Sequence, residues 1–126
     1  MKKFTNIDLM SIKSYNFPVT AISSILHRIS GVVLLVAIPL SVYGLSQSLS
    51  SSVGYDHTVA MLTTGVGSIF FWMFLSAITY HVYAGFRHMV MDAGFAESLA
   101  AAKVTSIITI LLGVLTAAFW GCFLWL

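Results

Sequence analysis

HVYAGFRHMVMDAG, residues 81–94, places two histidines, an arginine and an aspartate at the end of a long apolar run. On a helix, His81, Ala84, Gly85 and His88 fall at i, i+3, i+4 and i+7 and share one face, with Arg87 beside it. Such a face can receive a large flat ligand. Ionisable side chains inside a membrane span cost roughly a few kcal/mol and by default mark a functional site.

The rest of the chain supplies the membrane. Of 126 residues, 59% are hydrophobic and 8% charged, and the mean hydropathy is +0.96. These values exclude a soluble domain with a solvated surface. The net charge of +2 rests on so few groups that position matters more than sum, and no basic stripe suited to nucleic acid is present. The lone Cys122 permits no internal disulfide and suits a small apolar packing role. Residues 1–17 lack the apolar core and cleavage site of a secretory signal and the arginine richness of a transit peptide, and read as a retained cytoplasmic arm. The location expected is therefore a bacterial inner membrane rather than a mitochondrial one.

Three apolar runs predict an all-α integral membrane protein of one domain, with helices over about 18–49, 58–91 and 104–126. Pro18 suits a first helical turn, and Pro39 is of the kind that membrane helices tolerate. The serine-rich stretch 50–57 reads as a loop, and 92–103 as a second loop or a short interfacial helix. Lysine and arginine occur at 2, 3, 13, 28, 87 and 103, in the arm, the second loop or the helix ends beside them. The excess of positive charge on cytoplasmic segments then sets the N-terminus inside and the C-terminus outside. Phe70, Phe71, Trp72, Tyr43, Tyr55, Trp120 and Trp125 gather toward the outer interface as an aromatic belt. Three helices bury little against one another, so a partner membrane subunit is expected to complete the fold.

Two polar constellations lie at the same end. SSILHRISG, residues 23–31, sets Ser24, His27, Arg28 and Gly31 on one face of the first helix. The second is His81, Arg87, His88 and Asp92. His81 precedes Asp92 by 11 residues, about 16 Å along a helix, which puts it near mid-membrane. A neutral imidazole there suits axial ligation of iron, and Gly85 one turn on leaves room for a porphyrin plane. His27, Arg28, Arg87 and His88 lie nearer the surface, placed to meet the two propionates. Ordinary readings stand beside these: His81 as an interhelical hydrogen-bond partner, Arg28 and Arg87 as snorkelling anchors, and Ser24 bonded to its own helix. Spacing alone leaves a haem or a quinone site open.

Both segments, in this order and with this gap, resemble the two signature segments of the cytochrome b membrane anchors of succinate dehydrogenase, respiratory complex II. The pattern is Ser-x2-His-Arg, then His-x3-Gly-x-Arg-His-x3-Asp-x-Gly on the next span. The resemblance implies a b-type haem shared with a second small membrane subunit, which supplies the other axial histidine. It also implies a ubiquinone site and docking to an iron-sulfur subunit that receives electrons from a flavoprotein. By match, His81 is the axial haem-iron ligand, Ser24 and Arg28 bind quinone, and His27 and Arg28 lie near the propionates. The chain would then be the quinone-reducing membrane part of the enzyme rather than its dehydrogenase centre. The arm departs from the family, with Lys3-Phe4 where an Arg-Pro pair is common, so its docking to the soluble subunits is expected to differ. A haem-free structural anchor and a quinol:fumarate reductase anchor remain as alternatives. A transporter is disfavoured, because no acidic residue lies within an apolar span.

Overall fold

The structure, a computed structural model, describes residues 17–126. The arm at 1–16, and with it the Lys3-Phe4 departure, lies outside the described residues. Four helices follow in order: α1 Val19–Ser50, α2 Ser52–Thr63, α3 Gly65–Asp92 and α4 Leu99–Trp125. Of these α1, α3 and α4 are long and apolar enough to cross a membrane, so the chain is a multi-pass membrane protein.

Each helix end has a local cause. Extended Pro18 precedes α1 and its carbonyl accepts from Ala21 and Ile22, which places the first turn where the sequence predicts it. The stretch 50–57 is not the expected loop. Ser51 is an N-cap whose Oγ accepts from Gly54 N at 3.0 Å, so the serines open α2 instead of interrupting the chain. Helix α2 ends at Thr63, its C-cap Thr64 donating its N–H to Ala60 O, and Gly65, at φ +54°, turns the chain into α3. At the other end Gly94, at φ +84°, closes α3: Phe95 N donates to Val90 O and Gly94 N to Met91 O, the paired bonds of a left-handed helix stop. Asp92, the last residue of α3, is exposed and neither caps the helix nor pairs with Arg87 among the described residues. Ser98 then caps α4 by accepting from Ala101 N at 3.2 Å. The third span therefore begins at Leu99, five residues before the Val104 expected from hydropathy.

Packing is by small residues, as lipid-embedded helices require when no hydrophobic drive separates helix from tail. Ser23, Ala84, Ser106 and Thr109 are buried, while Leu35, Val36, Phe70 and Leu115 face outward. Tyr80 is the central pin. Its ring lies on Gly113 of α4 so closely that a Cβ there would meet ring carbon, and its hydroxyl donates to Ser23 O on α1 at 3.1 Å. At the opposite end Trp72 Nε1 donates to Ala117 O at 2.8 Å and Trp125 Nε1 to Ser68 Oγ at 3.1 Å. These two tryptophans of the expected belt thus also bolt α3 to α4.

Candidate functional site

Antiparallel packing of α1 on α3 brings together the two segments singled out in the sequence. Each carries a histidine four residues before a glycine, and the pairs engage reciprocally. The His81 ring lies over Gly31, where an added Cβ would stand 3.2 Å from His81 Cε1, and the His27 ring lies over Gly85, 3.7 Å from such a Cβ. Gly85 does leave room, but for the His27 ring. The two imidazoles stack with centroids 4.2 Å apart and planes 29° from parallel, and His88 joins at 5.1 Å from His27. Among the described residues no three side chains converge on an ion as chelating ligands. One imidazole per side, as an axially ligated haem needs, is a different demand.

The proton on His81 is assigned by its neighbours. Ser30 Oγ, buried, donates to His27 O at 2.7 Å. That uses the only hydroxyl proton, so the oxygen can only accept from His81 Nδ1, 3.0 Å away. His27 O is a second acceptor for Nδ1 at 3.2 Å. In the neutral ring Nδ1 therefore carries the hydrogen and Nε2 the lone pair. Such an outer partner is what fixes tautomer and ring orientation in metal-ligating histidines. Sequence reasoning passed over Ser30; its position three residues after His27, on the face that meets α3, was the available signal.

The remaining expected residues divide. Ser24 is half-buried and makes no hydrogen bond among the described residues, unlike its neighbour Ser23, which lies against Tyr80. Its hydroxyl is therefore not consumed by its own helix. Arg28 is exposed at the same end. His27 Nε2 is buried in the cluster and has no hydrogen-bond partner among the described residues. Arg87 is not brought to this cluster. It points the other way, buried against α4, with Nε donating to Thr105 Oγ1 at 3.1 Å and Nη2 to Ala102 O at 3.3 Å. Position 87 is one residue from the histidine face of α3, about 100° around the helix, which is enough to turn it from α1 to α4.

The chain matches known proteins over most of its length. Residues 10–120 match the family of the succinate dehydrogenase/fumarate reductase transmembrane subunit. A succinate dehydrogenase cytochrome b556 subunit from Coxiella burnetii (strain RSA 493 / Nine Mile phase I) is 34% identical over 125 residues, 98% of each chain. Another, from Paracoccus denitrificans, is 30% identical over 95 residues, 75% of this chain and 73% of that one. Three apolar helices, a paired histidine cluster at one end and a match along nearly the whole length lead to one assignment: the chain belongs to the succinate dehydrogenase/fumarate reductase transmembrane family, as a membrane cytochrome b subunit of succinate dehydrogenase.

Proposed function

We propose that this subunit holds a b-type haem through His81 and reduces a quinone bound near Ser24 and Arg28. The observation that carries the reading is the pair of acceptors, Ser30 Oγ and His27 O, on His81 Nδ1. They leave Nε2 as the free lone pair that an axial ligand must offer. The donor set thus fits the group. His27, Arg28 and His88 lie at the end where propionates would be met, while Arg87, committed to α4, has no part in this proposal. When bound, haem supplies a one-electron carrier whose potential the protein tunes through the axial ligand and its surroundings.

Reduction of a quinone to a quinol takes two electrons and two protons. The Ser24 hydroxyl, free of intrahelical bonding, donates to one quinone carbonyl, and the Arg28 guanidinium favours the negative charge that builds on that oxygen as electrons arrive. Both residues lie in the first three turns of α1, so protons enter from the end that carries Arg28 and Lys103. With the N-terminus inside, that end is the cytoplasmic face of a bacterial inner membrane, where an iron-sulfur subunit delivers electrons taken from succinate by a flavoprotein. A second small membrane subunit would supply the other histidine that holds the haem. The quinone is read as ubiquinone.

The test is a dithionite-reduced minus oxidised spectrum of the chain purified with its companion subunits, for the wild type and His81→Leu. A b-type band in the wild type that is lost or shifted in His81→Leu is the expected result. Ser24→Ala and Arg28→Leu should keep the band and lose quinone reduction. An unaltered band in His81→Leu would move the ligand elsewhere, and no band in a stable wild-type complex would leave a structural anchor with a quinone pocket.

A further inference from the structure

Arg87 stands apart from the histidine cluster, and its surroundings define a second site. Its side chain is 7% exposed, yet it forms no ion pair among the described residues, and both groups it bonds, the Thr105 hydroxyl and the Ala102 carbonyl, are neutral. The cation is therefore uncompensated. Two of its five N–H donors are used, and Nη1 has no partner among the described residues. A buried guanidinium in a membrane protein ordinarily pairs with an anion.

Beside it, between α3 and α4, opens a cleft of about 430 Å³ with Arg87 on its wall. That lies within the roughly 300–1,000 Å³ typical of small-molecule sites. Its walls are Val82, Phe86, Val90, Ile108 and Leu112, and almost all of its lining is apolar. The Arg87 backbone lies five residues from the end of α3, about 8 Å along the axis, but its guanidinium bonds Ala102 O, three residues into α4, about 5 Å from the joint and close to the depth at which lipid headgroups meet the hydrocarbon. One unneutralised fork-shaped cation at headgroup depth, continuous with an apolar trough, calls for a ligand with an anionic oxygen group at one end and a hydrocarbon chain at the other.

We propose that the α3–α4 cleft binds one anionic phospholipid, its phosphate on the Arg87 guanidinium and an acyl chain along the trough. Guanidinium matches phosphate oxygens through parallel N–H bonds, which an ammonium does not reproduce. The site is independent of the haem and quinone reading, since no residue is shared with it.

The experiment purifies the assembled complex into nanodiscs containing phosphatidylglycerol and phosphatidylcholine in equal parts and counts retained lipid by native mass spectrometry. The wild type should retain one phosphatidylglycerol per chain, at least tenfold over phosphatidylcholine. Arg87→Gln should lose that preference, Arg87→Lys should restore part of it, and Lys103→Gln, an exposed charge, should keep it. If Arg87→Gln fails to assemble, Ile108→Trp, which fills the trough with Arg87 in place, should also abolish retention. Equal retention in the wild type and Arg87→Gln, or in Ile108→Trp, would overturn the proposal, as would release of the lipid by inorganic phosphate alone with no dependence on the acyl chain. Loss of the haem band in Arg87→Gln with lipid retained would return Arg87 to the haem and also overturn it.

Discussion

Ser30 has one proton and two neighbours that need it differently: His27 O takes the hydrogen and His81 Nδ1 gives one. In Ser30→Ala the imidazole keeps only His27 O, at 3.2 Å, and that carbonyl loses its own donor. If His81 holds the haem as proposed, a weaker acceptor on Nδ1–H would make Nε2 a poorer electron donor to the iron, so the midpoint potential should rise. Haem affinity should fall about 10-fold, the lower end for loss of such an outer partner, because one acceptor remains. Ser30→Thr, which keeps the hydroxyl, should stay near the wild type in redox titration. An unchanged potential in Ser30→Ala would mean that His27 O alone fixes the ring. The sequence made His27, His81 and His88 legible as ionisable groups in an apolar run. It did not expose Ser30, since a serine in a membrane helix most often bonds its own helix, and only the approach of α1 to α3 gives this one a second partner. The direction of Arg87 was hidden for the same reason, as one residue of helix phase separates a neighbour of α1 from a neighbour of α4.

At the scale of elements, the spans were legible, as was the start of α1 at Pro18, but the starts of α2, α3 and α4 were not. Hydropathy locates α1, α3 and α4 because lipid imposes length and composition, but Ser51 and Ser98 are caps that hydropathy scores as loop. The five-residue joint from Ala93 to Glu97 is where chain geometry is most constrained. Gly94 has φ +84°, and Ala96, which has a Cβ, has φ +58°. Left-handed backbone costs an L side chain about 1 kcal/mol relative to glycine. Gly94→Ala should therefore destabilise the α3–α4 pair by about 1 kcal/mol, and Ala96→Gly should stabilise it by somewhat less, since glycine also frees the unfolded chain. Unfolding in a graded detergent-denaturant series reads both. A stabilising Gly94→Ala would show that the joint is not held in the left-handed region.

For the whole molecule the governing fact is asymmetry between the two ends. Arg28, Arg87 and Lys103 sit at the end shared by the start of α1, the α3–α4 joint and the histidine cluster, while no lysine or arginine lies in α2 or in the last ten residues of α4. Positive charge near span ends marks the cytoplasmic side, and the proposed route of electrons and protons requires the same side for Ser24 and Arg28. Orientation is thus a joint test of topology and mechanism. In a Cys122→Ala background, single cysteines at exposed Glu97 and exposed Ser52 should respond oppositely to a membrane-impermeant maleimide. In sealed right-side-out vesicles Ser52→Cys should label at once, and Glu97→Cys only after the membrane is opened with detergent. The reverse pattern would put the histidine end outside, away from the soluble subunits proposed to dock from the cytoplasm. The quinone would then draw its protons from the wrong compartment, and the reaction assigned to Ser24 and Arg28 would fail, even if His81 were shown to ligate haem.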